Sequence, residues 1–145
     1  MRSALRDHAK FLTRLDIRDE TDLVAARRCT RELAARQGLS AAESEALATA
    51  VTEIARNIVV HAGHGEMRFG IVDHPSRRGV VVIAHDTGAG IPCVADAMQD
   101  GYSTRGSLGY GLPGARRLVD EFEIESTVGT GTTVTLCKWA LAAAR

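Results

Sequence analysis

The sequence predicts an α+β fold, a two-layer sandwich with helices on one face of a mixed β-sheet. Three observations carry that prediction. The element order reads β-α-α-β-β-loop-α-β-β, which suits a helical layer packed on a sheet. Leu47, Val51, Ile54 and Ile58, with Ala50 beside them, recur at helical spacing and mark a helix with one core-facing stripe. Paired β-rich runs joined by short turns supply hairpins, which need a second layer to bury one face. At 145 residues the chain is long enough to bury a core without metal or disulfide support, so 1–145 is read as one domain.

Taken in order, residues 11–17 alternate loosely and read as a strand. Asp19 and Thr21 offer caps for a helix running to about Gln37, where Gly38 stops it. Ser40 and Glu43 form a capping box, each able to satisfy the other's orphan amide. It opens an Ala-rich helix expected to reach Ala62, ended by Gly63 and Gly65. Strands follow at 67–73 and 79–84, joined through Pro75 by a loose loop. Residues 86–111 hold six of the fourteen glycines together with Pro92, a density suited to a long ordered loop around a ligand. A helical pattern returns at 112–121. Two last strands, 122–128 and 132–138, flank the turn Gly129-Thr130-Gly131.

Composition narrows the function classes. A hydrophobic fraction of 45% and a charged fraction of 25% are those of an ordinary globular protein. Eighteen basic and eighteen acidic residues cancel, so the overall charge gives no reason to expect nucleic acid or an anionic membrane as partner. Cys29, Cys93 and Cys137 are too far apart for a zinc site and odd in number, which fits free thiols in a reducing compartment. No apolar run resembles a signal peptide or a membrane span, so the cytoplasm is the expected location.

The candidate chemistry sits in separated segments. Glu53 and Asn57 lie one helical turn apart on a flank of the apolar stripe, where they border the core and can face a cleft. A carboxylate there can act as a general base, and an amide oxygen one turn later suits Mg²⁺, which takes few protein ligands beside phosphates and waters. After the strand at 79–84 comes Asp86-Thr87-Gly88-Ala89-Gly90-Ile91, an acid at a strand end followed by glycines that let backbone approach a flat ligand. Such an Asp can accept a hydrogen bond from the exocyclic amine of adenine. The stretch Gly106-Ser107-Leu108-Gly109-Tyr110-Gly111-Leu112 runs straight into a helix, an arrangement that can hold phosphates. It follows a loop and not a strand, so it is no dinucleotide fingerprint, and no Gly-Lys-Ser/Thr phosphate loop is present. Each fragment alone has a plainer reading: a solvated helix edge, an Asx turn, a hairpin turn at 129–133. His61 lies near the same helix edge as Asn57 and could approach the site, though it reads first as a helix-end histidine; Arg56 reads as solvated or partner-facing, and Trp139 as an edge of the core.

In this order the segments resemble the GHKL (Bergerat-type) superfamily of ATP-binding domains, over residues from about 41 to 139. Thr52-Glu53-Ile54-Ala55-Arg56-Asn57 is similar to that family's N box, 86–90 to its first glycine box, 109–111 to part of its second, and 129–132 to its last. The resemblance implies ATP and Mg²⁺ as cofactors, Glu53 as general base, Asn57 as Mg²⁺ ligand and Asp86 as adenine contact. It also implies nucleotide contacts at Gly88, Gly90, Ile91, Gly106, Leu108, Gly109, Tyr110, Gly111 and Thr132, and a glycine-rich ATP lid over about 92–108. Ala97 to Thr104 and Leu112 to Leu118 resemble the RsbT-type serine/threonine kinases of bacterial stress-signalling complexes. Those kinases phosphorylate STAS-domain scaffold and antagonist proteins and activate a PP2C-type phosphatase by binding. Thr87, Arg105, Ser107 and Tyr110 depart from the family pattern, whereas Glu53, Asn57, Asp86, Gly88 and Gly90 keep it. An anti-sigma factor with serine kinase activity, or a nucleotide-gated binding module without turnover, is the alternative reading.

Overall fold

The computed structural model describes residues 8–99 and 111–141. Strand β1 (Lys10–Ile17) leads into helix α1 (Glu20–Arg36). Asp19 is its cap: the carboxylate accepts from the amides of Thr21 and Asp22 at 3.0 and 3.3 Å, and Asp22 reaches back to the Asp19 amide. Gly38, at φ +81°, turns the chain so that the Leu39 amide bonds the Ala34 carbonyl at 2.9 Å. Helix α2 (Ala41–Asn57) opens on the expected Ser40–Glu43 box, with both bonds present at 2.7 and 3.0 Å. The helix does not run regularly to Ala62. Its last turn, Ile58–Ala62, widens to π geometry, closed by the Gly63 amide on the Ile58 carbonyl at 2.7 Å.

Strands β2 (Gly65–His74) and β3 (Arg77–Asp86) form a longer and tighter hairpin than the loose loop expected. His74 pairs with Arg77, leaving only Pro75 and Ser76 in the turn. Proline fixes its own φ for such a turn, so the polar residues on either side can continue the ladder. A short helix α3 (Val94–Ala97) lies inside the stretch expected to be irregular. Helix α4 (Leu112–Leu118) and strands β4 (Glu121–Thr127) and β5 (Gly131–Trp139) complete the order.

The five strands lie in the order β1-β2-β3-β5-β4, and every neighbouring pair is antiparallel. The expected mixed sheet is therefore corrected to an antiparallel one. Two helices return the chain to the end of the sheet it left, so β2 runs against β1. The strands β3 and β4 do share a direction, but β5 inserts between them and pairs with both.

Helices cover one face. Met67, Phe69, Val80, Val82, Val134 and Leu136 alternate along the strands and meet Leu23 and Leu33 of α1 and Leu47, Val51 and Ile54 of α2 in one buried cluster. Burial of that apolar stripe holds α2 on the sheet and fixes where its far end points. A register shift between Phe11 and Thr13 of β1 sends Phe11 to the opposite face while Leu15 packs under the helices. On that opposite face Val72, Val81, Cys137 and Trp139 form a second cluster, with the Arg77 guanidinium 3.7 Å over the Trp139 ring.

Candidate nucleotide site

A cleft opens where the end of α2 meets the ends of β3, β4 and β5. One wall is helical: Ile54, Asn57, His61 and Ala62, the last two exposed to the cleft by the widened turn. The floor comes from the sheet. Asp86 pairs with Thr132 in the β3–β5 ladder, and one step in, Ala84 pairs with Val134, which in turn pairs with Ile124 of β4. Ala89, Gly90, Ile91 and Leu112 close the remaining sides. An apolar slot with one carboxylate and one hydroxyl at its floor suits a flat heteroaromatic ligand.

The turn after Asp86 is held from two directions. Asp86 Oδ1 accepts the Gly88 amide at 2.9 Å, an Asx turn that leaves the other carboxylate oxygen for a ligand. A Cβ on Gly88 would lie 2.6 Å from the Ala62 Cβ, so glycine is what lets the turn press against the helix end. Gly90 adopts φ +81° with its α-carbon against the Thr127 carbonyl, where a Cβ would collide with backbone. Across the same seam the Gly129 amide donates to the Ala89 carbonyl at 2.8 Å, and the Ile91 amide to Ser126 Oγ at 2.7 Å.

Glu53 lies at the rim and does not line the cleft. Its side chain is 40% exposed, with Oε2 3.1 Å from Nη1 of Arg56, the residue expected to be solvated or partner-facing. Oε1 sits against Gly111, whose added Cβ would lie 2.5 Å from it. Gly111 takes φ +64° and caps α4, so the residue that ends the glycine-rich loop abuts the carboxylate directly. His85 is turned away from the cleft, its Nδ1 2.8 Å from Thr133 Oγ1.

The structure thus gathers Asn57, Asp86, Gly90, Ile91 and Thr132 around one space, sets Glu53 and Gly111 together at its edge, and puts Gly88 beneath the turn. Gly106, Leu108, Gly109 and Tyr110 lie outside the described residues. Sequence reasoning missed Ala62, Ala84, Ile124 and Val134 in the lining, and Ser126 behind it. Period-two counting from Asp86 and Thr132 would have found Ala84 and Val134 once β3 and β5 were known to pair. Among the described residues no group of three or more His, Cys, Asp or Glu is placed to hold a metal ion. The donor set here, one amide oxygen at Asn57, is the kind that holds Mg²⁺ only together with phosphate and water oxygens.

Known proteins sharpen this picture. The model of the histidine kinase-like ATPase domain matches residues 18–138. Serine/threonine-protein kinase RsbT of Bacillus subtilis (strain 168) is 42% identical over 123 residues, 85% of this chain and 92% of that protein. The anti-sigma F factor of Clostridium novyi (strain NT) is 33% identical over 96 residues, 62% of this chain and 66% of that protein. Among solved structures, the SiaB–SiaC complex from Pseudomonas aeruginosa holds a chain of the same fold, with TM-score 0.53, 13% identity and 94% of each chain covered. The family match and the 42% identity across nearly the whole of a kinase place this chain in the histidine kinase-like ATPase (GHKL) family, among its ATP-using serine/threonine protein kinases.

Proposed function

We propose that the chain is the kinase of a bacterial partner-switching system, transferring the γ-phosphoryl group of ATP to a serine or threonine of a STAS-domain protein. The observation that carries this reading is the single cleft bounded by Asn57, Asp86, Gly90, Ile91 and Thr132, with Glu53 at its rim. Its fit to ATP is chemical: Asp86 has a carboxylate oxygen to accept the adenine amine, the apolar walls take the ring, and Gly88 and Gly90 bring backbone close. Asn57, one turn from Glu53, is the residue to hold Mg²⁺, which would offset phosphate charge. Gly111, with Gly106, Leu108, Gly109 and Tyr110 before it, is assigned to the phosphates.

Glu53 takes the proton from the acceptor hydroxyl as that oxygen bonds to the γ-phosphorus; the bond to the β–γ bridging oxygen breaks and ADP leaves. Positioning supplies most of such a reaction's rate, because the nucleotide and the acceptor oxygen must be aligned before transfer. The likeness to RsbT, over more of the chain than the likeness to anti-sigma F factor, favours a STAS-domain acceptor and activation of a PP2C-type phosphatase in the cytoplasm.

The test mixes purified protein with radiolabelled Mg-ATP and the STAS-domain protein encoded nearest to it in its genome. Label on a Ser or Thr of that protein supports the reading. Absence of transfer, with a sigma factor recovered in complex instead, would move the chain to the anti-sigma role.

A further inference from the structure

Ser126 sits on β4 outside the cleft lining, yet its hydroxyl touches three parts of the cleft's construction. The Ile91 amide donates to Oγ at 2.7 Å, Thr132 Oγ1 lies 2.8 Å away, and the Gly131 carbonyl lies 3.2 Å away. These belong to the turn after Asp86 and to the strand that pairs with Asp86. A serine hydroxyl has one proton and two acceptor sites. Ile91 occupies one acceptor site in every arrangement. With the Ser126 proton on the Gly131 carbonyl, Thr132 donates to Ser126 and turns its own lone pairs elsewhere. With the Ser126 proton on Thr132, the Thr132 hydroxyl is free to donate. The Gly131 carbonyl is bonded only in the first arrangement, but the Ser126–Thr132 bond is present in both, so the Thr132 hydroxyl is held in place whichever function it presents.

The geometry points to Ser126 as the positioning residue of the base subsite: it fixes the Thr132 hydroxyl and the Ile91 wall relative to Asp86, and so sets nucleotide affinity without touching the phosphates. This inference rests on the proposed ATP site. Removing the hydroxyl leaves the Ile91 amide without this partner and frees Thr132 to rotate, while the Glu53 rim, built by α2 and Gly111, is untouched. The effect falls on binding and not on transfer.

Titration of wild type and Ser126→Ala with ATP and with ADP, by calorimetry, tests it. The expected result is a Kd raised about tenfold for both nucleotides. Phosphotransfer at saturating ATP should stay within about twofold of wild type. Ser126→Thr, which keeps the hydroxyl, should bind like wild type. Thr132→Ala should also weaken binding, and the double variant should cost clearly less than the sum of the two single losses, because the Ser126–Thr132 bond is shared. Ser126→Cys, near in volume but a poor acceptor, carries the same expectation as alanine should the alanine chain fail to fold. Unchanged affinity in the alanine or cysteine variant, additive losses in the double variant, or a fall in transfer rate without a change in Kd would overturn the inference. A wild-type chain that binds neither nucleotide would instead overturn the ATP site itself.

Discussion

Gly90 and Gly129 share a left-handed backbone, φ +81° and +84°, but differ in what a side chain would meet. A Cβ at Gly90 runs into the Thr127 carbonyl and the Val128 α-carbon, both backbone atoms that cannot swing aside; at Gly129 nothing lies within 4 Å. Gly129→Ala should therefore cost only the left-handed penalty, about 1 kcal/mol. Gly90→Ala adds overpacking and should cost about 3 kcal/mol, with loss of nucleotide binding because the turn must leave the seam. Urea unfolding of the two variants checks the difference, and equal losses would show that the seam at Thr127 does not constrain the turn. The functional candidates at this scale were legible as residue types, but Asp followed by spaced glycines reads alone as an Asx turn and gains a functional meaning only from the segments around it. Ser126 was not legible, because its three partners come from the β4–β5 hairpin and from the segment after β3, which only the folded sheet brings together.

Among the elements, α2 was the most legible and also the one whose end was misjudged. Ser40 and Glu43 are a local signature, three residues apart, and the structure forms both bonds. The widening over Ile58–Ala62 has no such signature: Gly63 marks the stop, but the turn's width follows from packing Ala62 against Gly88 and Ile58 into the core. The order of strands was harder still, since the place of β5 between β3 and β4 depends on contacts far apart in sequence. The capping box carries its own pH dependence. Partial burial alone would raise the Glu43 carboxyl, but the hydrogen bonds it accepts from the Ser40 and Leu141 amides outweigh that and hold it below its usual range. A carboxylate depressed in the folded state contributes stability above its unfolded pKa, about 4.3, and loses it as pH falls through the folded value. Glu43→Gln should therefore be less stable than wild type at pH 6, and the gap should narrow as pH falls below about 4. A difference that persists undiminished at pH 3 would assign the role to shape instead of charge.

At the scale of the whole molecule, the sheet and helices exist to bring distant segments to one place. Asp86 and Thr132 become neighbours through a ladder between strands 46 residues apart, and Asn57 reaches them only because the core stripe of α2 fixes the helix on the sheet. That convergence was legible from the order of the motifs and their resemblance to a known family, not from periodicity, which places each segment on an element but says nothing about which ends meet. Under the proposed function, catalysis would rest on Glu53, which lies between Arg56 and Gly111 at the mouth of the cleft. The most direct measurement is the single-turnover transfer rate of Glu53→Gln to the proposed STAS-domain acceptor, taken beside its ATP affinity. The expected result is an ATP Kd within about twofold of wild type and transfer slowed about a hundredfold or more; transfer at the wild-type rate by a variant that binds ATP normally would contradict the assignment of Glu53 as the base.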